Sequence, residues 1–272
     1  MSERIRALAD AAVTALTARL DLAGQPAAPG PAELGALRWS ARALTPGLAA
    51  IAAAAQRTGA ASPGLREELG AIGRSTERAA RQAGGAHRGA LWVLGLLVAG
   101  TALDPGDPLA SAKALAAHPD RKAPRRPSQG STVTARYGAA GARGEARAGF
   151  PHVRRALDAL HVARDSGTAE PEARLDALLT IMSTVQDTGL LYAAGPHGLR
   201  RVQAGARAVL EAGGASSPAG RAELEAFDIA LREQGLVPRG SPALLAGALF
   251  LDAPRYVSPR LGVTHHDRID PG

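Results

Sequence analysis

Apolar residues recur along most of this chain at helical spacing. Ile5, Leu8, Ala12, Val13 and Leu16 fall on one face of a segment spanning Ile5–Leu20. The next stretch, GQPAAPGP at Gly24–Pro31, holds three prolines and two glycines in eight residues and predicts a loop. A helix is expected over Glu33–Ala55 with a break at Thr45-Pro46-Gly47. After a turn at Thr58–Gly64, Ser62-Pro63 has the form of an N-cap followed by proline at the first helical position. Leu65, Leu69 and Ile72 mark the apolar stripe of that helix, which ends near Gly84-Gly85.

The most apolar run is ALWVLGLLVAGTAL, Ala90–Leu103, which stops at Asp104-Pro105-Gly106. At about 14 residues it is shorter than the roughly 20 needed to span a bilayer, so it reads as a buried core helix. A shorter helix is predicted over Leu109–Ala117. The segment HPDRKAPRRPSQG, residues 118–130, reads as a long mobile loop, and it is where a two-domain chain would be cut. Further helices are predicted over Arg174–Gln186, Leu199–Leu210, Arg221–Glu233 and Pro242–Leu251, and the polar end Ser258–Gly272 reads as a frayed tail. No fixed-period repeat is visible. The expected fold is all-α, a single-domain multi-helix bundle over residues 1–272.

Composition agrees with a helical core and removes several chemistries. Hydrophobic residues are 46% of the 272 but aromatics only 3%, so the core must be built from Ala, Leu and Val. With no cysteine there is no disulfide, thiolate catalysis or Cys-based zinc site. The charged, amphipathic N-terminus lacks the apolar stretch of a signal peptide, and together these features suit a cytoplasmic protein without a membrane span. The net charge of +7 fits a phosphorylated small molecule, nucleic acid or an anionic surface. Nucleic acid is the weakest of these, because no helix–turn–helix stands out and stacking aromatics are scarce.

No P-loop, GxGxxG, HExxH or GxSxG occurs. Four places carry candidate chemistry. YGAAGARGEARAGFP at Tyr137–Pro151 sets Gly141 and Gly144 beside Arg143, Glu145 and Arg147. Glycine lets a backbone approach a ligand, arginine forks match phosphate oxygens, and a carboxylate can bind Mg²⁺ or act as a base. The plainer alternative is a Gly-rich loop with a solvated charged face. GGAHRG at Gly84–Gly89 sets His87 and Arg88 at a helix start, where backbone N–H groups favour anions, or else it is a simple capping turn. Asp187, between an amphipathic helix and Leu190-Leu191, is either a surface cap or a Mg²⁺ ligand or base. Arg239-Gly240-Ser241-Pro242 reads as a helix start with Ser241 as its cap, and His265-His266-Asp267 as part of an unstructured end.

Taken in order, these segments resemble one family. YGAAGARGEARAGFPHV is similar to the YGxxGxRGEAxxGFPxV signature of the triphosphoribosyl-dephospho-CoA synthases. GGAHRGALWVLGLL resembles that family's GVNTHRGAxxxLGLL, VQDTGLLYAAG its DTNLLHRGG, and RGSPALLAGALFLD its GGSADLLAxxxFLD. The linking text is most similar to the malonate-decarboxylase branch. The resemblance runs from about Ser40 to Asp252 and implies an all-α fold. It implies a transferase that joins ATP to 3′-dephospho-CoA, releasing adenine and forming the prosthetic-group precursor of the malonate decarboxylase acyl carrier protein. It further implies Glu145, Asp187 and His87 as catalytic candidates and Arg143, Arg88, Arg147, Gly141 and Gly144 as nucleotide-binding ones. Mg²⁺ is the implied cofactor, with Glu145 and Asp187 as its candidate ligands. Three stretches depart from the pattern: residues 24–38 lack the family's early histidine and aspartates, GVNTH is GGAH, and DTNLLHRGG is DTGLLYAAG. A relative that binds nucleotide or a partner without turnover is therefore the alternative reading.

Overall fold

The computed structural model describes residues 2–124 and 128–253. Among these, all regular structure is helical. The amino-terminal elements are α1 (Glu3–Leu20), α2 (Pro31–Arg42), α3 (Thr45–Thr58), α4 (Pro63–Gln82), α5 (Arg88–Leu103) and α6 (Pro108–Ala117). They are followed by α7 (Gln129–Tyr137), α8 (Gly141–Arg147), α9 (Pro151–Asp165), α10 (Glu170–Met182), α11 (Thr188–Glu211), α12 (Pro218–Glu233) and α13 (Gly240–Asp252). The tail and His265-His266-Asp267 lie outside the described residues, as do positions 125–127 of the expected loop.

Two helices form the axis of the fold. In α5, twelve of sixteen residues are buried, and in α13, ten of thirteen. A helix that is apolar all round has no solvent face and must be surrounded. α5 packs against α1, α3, α4, α6, α8 and α13, and α13 also packs against α1, α9 and α10. Small alanines at Ala9, Ala12, Ala52, Ala55, Ala99 and Ala246 are fully buried, which lets helix axes approach closely in a chain with few aromatics. Leu44, Leu94, Leu97, Leu115 and Leu178 fill the remaining space at about 1.5–3 kcal/mol each. Among the described residues, no single helix is long and apolar enough to cross a membrane.

The chain turns by 116° between α5 and α6, and Gly100 makes that crossing possible. A Cβ there would lie 2.2 Å from the Pro108 carbonyl oxygen and 3.0 Å from the Ala112 nitrogen. Backbone cannot yield as a side-chain tip does. Gly100→Ala is therefore expected to destabilise by about 1–3 kcal/mol. At about 2–4 °C per kcal/mol this lowers the melting temperature measurably by circular dichroism. An unchanged melt would refute the close crossing.

Three sequence expectations change. Residues 118–124 are no free linker. The buried side chain of Asp120 accepts a 2.6 Å bond from Arg74, Arg66 lies 4.0 Å away, and Lys122 pairs with Glu67 at 3.5 Å, so α4 pins the segment down. Tyr137–Pro151 is no extended Gly-rich loop. It closes α7 at left-handed Gly138, forms the two-turn α8, and reverses at Gly149 and Phe150 into α9. Finally, α9 itself lacks a prediction, although Val153, Ala156 and Leu160 form its buried stripe.

Candidate active site

The four motif segments, far apart in sequence, meet around the first turns of α5, α8, α11 and α13. Trp92 on α5 donates from Nε1 to the Ala142 carbonyl of α8 at 3.3 Å. Gly141, at φ 55°, lies so near the first turn of α11 that a Cβ would be 2.9 Å from Thr188 Cγ2. The backbone of Gly89 faces Ala243 of α13. Helices α11 and α13 are tied together by one carboxylate. Asp187 Oδ1 accepts from Gly189 and Leu190 N–H at 2.8 and 3.3 Å, and Oδ2 from Arg239 and Gly240 N–H at 2.8 and 2.7 Å. Asp187 is thus the N-cap of α11 and, across space, supplies the cap that α13 lacks from its own side chains.

Four backbone donors fill the four lone-pair positions of a carboxylate that is 2% exposed. The carboxylate braces two helix starts. Ser241 is not the cap of α13: it sits inside the first turn, and its buried Oγ has no hydrogen-bond partner.

His87, a catalytic candidate by the family resemblance, is buried and turned toward α2. Its Nε2 lies 2.8 Å from Ser40 Oγ and 3.1 Å from the Leu37 carbonyl oxygen. A carbonyl only accepts, so Nε2 carries the proton. Burial, reinforced by the nearby Arg19 charge, holds the ring's pKa below the ordinary histidine value. Near neutral pH this imidazole is therefore uncharged and braces α2 against the start of α5.

Glu145 is buried on α8 and meets a residue absent from the sequence expectations, His152. The reversal at Gly149 and Phe150, both at positive φ, folds α9 back over α8. Glu145 Oε1 then accepts the His152 backbone N–H at 2.8 Å, and Oε2 lies 2.7 Å from His152 Nδ1. One carboxylate both caps α9 and orients an imidazole. Unlike Asp187, it keeps a lone pair on each oxygen. The fit of Mg²⁺ to the two expected ligands is thus uneven: Glu145 retains acceptor capacity and Asp187 does not. Among the described residues, no three His, Asp or Glu side chains gather as a metal set.

The arginines divide similarly. Arg143 is exposed on α8, and its charge acts on the buried Arg66. Arg66 stacks 4.9 Å over Trp92 and shares Asp120 with Arg74. Three guanidinium groups here have one carboxylate between them, a surplus of positive charge beside α8 that suits an anion. Arg88 is exposed, with Glu77 4.0 Å away. Arg147 Nε donates to the Ala116 carbonyl at 3.3 Å and closes the end of α6. The Gly144 amide is consumed inside the helix by Ala140 O at 3.0 Å, so of the two expected glycines only Gly141 opens α8. Of Arg66 and Arg74, only Arg66 has a sequence signal, an arginine set between Leu65 and Leu69 on an apolar stripe. A cleft of about 350 Å³ between α11 and α12, lined by Arg201, Glu223 and Phe227, is built from none of these residues.

Fold and site together define an all-helical protein whose separate motifs converge on helix N-termini with excess arginine, an arrangement for phosphate-bearing ligands. Residues 32–259 match the family described as ATP:dephospho-CoA triphosphoribosyl transferase (CitG). A protein of Stutzerimonas stutzeri strain A1501 is 46% identical over 90% of both chains, and one of Pseudomonas fluorescens strain Pf-5 is 45% identical over the same shares. Both are named "Probable 2-(5''-triphosphoribosyl)-3'-dephosphocoenzyme-A synthase". The chain belongs to the ATP:dephospho-CoA triphosphoribosyl transferase family. No solved structure matches it.

Proposed function

We propose that this chain transfers the triphosphoribosyl group of ATP to 3′-dephospho-CoA with release of adenine, and that the product serves the acyl carrier protein of malonate decarboxylase. The observation that carries the reading is the convergence of the four motif segments, residues 84–89, 137–151, 185–191 and 239–242, on joined helix starts. Family membership supplies the reaction class.

The reaction is a glycosyl transfer. A ribose hydroxyl of dephospho-CoA attacks C1′ of the ATP ribose, the C1′–N bond to adenine breaks, and positive charge develops on the sugar. The protein must hold phosphates, accept the hydroxyl proton and exclude water. Arg143, backed by Arg66 and Arg74, and the exposed Arg88 are the phosphate contacts in this reading. Glu145, held by His152, is the side chain with lone pairs free for the attacking hydroxyl. Magnesium carried on the triphosphate would be held on the protein side by Glu145, neutralising phosphate charge when bound. Asp187 keeps the α11 and α13 starts in register beneath the substrates.

Purified protein incubated with ATP, Mg²⁺ and 3′-dephospho-CoA is expected to release free adenine, read by chromatography, in an amount equal to the nucleotide consumed. Folded protein that releases none would exclude turnover. The alternative, binding without turnover, would then show as ATP binding by calorimetry without adenine.

A further inference from the structure

Arg239 begins α13 where the motif segments meet. Its backbone N–H donates to Asp187 Oδ2 at 2.8 Å, which fixes the residue beside the start of α11. Its side chain lies across the first turn of that helix. A Cβ on Gly189 would stand 3.4 Å from Arg239 Cβ and 3.5 Å from Arg239 Cδ, so the arginine stem rests directly on the glycine. The neighbouring Thr188 meets Gly141, where a Cβ would be 2.9 Å from Thr188 Cγ2. Contacts therefore run Arg239–Gly189–Thr188–Gly141, from α13 through α11 to the helix that carries Arg143 and Glu145. Arg239 is exposed, and among the described residues its guanidinium has no carboxylate partner. Asp187 beside it is saturated by four backbone N–H groups. The result is a cation held at its backbone and along its stem, with a free planar fork. Such a group loses little further freedom when it takes up an anion. The two touching positions also depart from the resembled motifs: DTNLLHRGG is DTGLLYAAG, and GGSADLLA is RGSPALLA, so Gly189 stands at an Asn and Arg239 at a Gly. The same stretch has Ala193 at an Arg, one helical turn beyond Gly189 on an exposed face of α11. One guanidinium leaves that face and another arrives on it.

We propose that Arg239 binds a phosphate group of the substrates at the α11–α13 junction, and that the absence of a side chain at Gly189 is what seats it there. The inference rests on the reading of this chain as a two-substrate transferase and adds to it a residue and its seat. The chemistry recognised is a polyphosphate, which ATP carries as a triphosphate and dephospho-CoA as a diphosphate. A guanidinium fork matches two phosphate oxygens at once. Arg88 opens α5 and Arg143 lies in α8, and Arg239 supplies the cation at the start of α11, where Asp187 already occupies the first-turn N–H groups of Gly189 and Leu190.

Titration calorimetry and thermal melts of the full chain test this, with ATP, dephospho-CoA and inorganic pyrophosphate as separate probes. Arg239→Gln keeps Cβ, Cγ and Cδ against Gly189 and removes the charge. It is expected to melt as the wild type does, and to bind pyrophosphate and at least one of the two substrates about tenfold or more weakly. The substrate that weakens identifies the source of the phosphate. Arg239→Lys should recover part of the lost affinity. Gly189→Asn, whose side chain needs the space that the stem fills, should weaken the same ligand although no charge has changed. Joined to Arg239→Gln it should add little further loss, because both act on one contact. Unchanged affinity for all three probes in Arg239→Gln would overturn the inference, as would a lowered melting temperature with every affinity reduced together, which marks a structural brace. Losses that simply add in the double variant would overturn the seating by Gly189. If the wild type binds pyrophosphate but neither substrate, the transferase reading fails on its own, and the effect of Arg239→Gln on pyrophosphate decides the phosphate contact. If the wild type binds none of the three, both fall together.

Discussion

Glu145→Gln is expected to reduce adenine release at least about 100-fold while leaving the far-ultraviolet circular dichroism unchanged. The two readouts separate because of what the side chain touches. Oε1 caps α9 through the His152 N–H, and an amide oxygen can do the same. At Oε2 the amide nitrogen donates to His152 Nδ1 if the imidazole carries its proton on the other nitrogen, so the 2.7 Å contact survives with its polarity reversed. Fold and cap persist. The negative charge and the free lone pairs of the carboxylate do not, and these are what a hydroxyl proton or a magnesium-bound triphosphate requires. A variant with full activity would remove Glu145 from the chemistry and leave it only the capping of α9. A variant that has lost helical signal would show that the cap needs the charge.

Asp187→Ala should have the opposite profile, a loss of stability first and of activity as a consequence. Removing this carboxylate leaves four backbone N–H groups without acceptors at a buried junction. A cap contributes about 1 kcal/mol and a hydrogen bond to a charged group about 1.5–3 kcal/mol. With two helix starts affected, a loss on the order of 3–5 kcal/mol is expected, or roughly a 10 °C fall in melting temperature for a chain of this size. Water can reach some of the exposed amides and soften the loss. A melting temperature within a degree or two of wild type would mean that α11 and α13 are not joined through Asp187. If the variant also kept its adenine release, the site would not depend on that junction.

The periodicity of the sequence anticipated most helices to within a few residues, because their signals are local. Ser62 caps α4 from inside its own segment, its Oγ accepting from Leu65 N–H at 3.2 Å. Prolines at Pro31, Pro63 and Pro218 begin helices for the same local reason. The family resemblance also lay in the linear order of motifs and needed no coordinates. The roles inside those motifs were less legible. Asp187 sits at a helix start in either reading, but only the arrival of Arg239 and Gly240, more than fifty residues later, fills its second oxygen. His152 carries no local mark of its contact, and it reaches Glu145 because two consecutive positive φ angles reverse the chain.

From its sequence alone this protein is an all-helical chain with an alanine–leucine core and the motif series of one transferase family, since helix propensity, apolar spacing and motif order are properties of neighbours in the chain. Which carboxylate is spent on backbone amides and which keeps lone pairs, which histidine is neutral and buried, and which arginines share a single counter-charge were decided by tertiary structure. Hydrogen-bond saturation and desolvation depend on groups that only packing brings together.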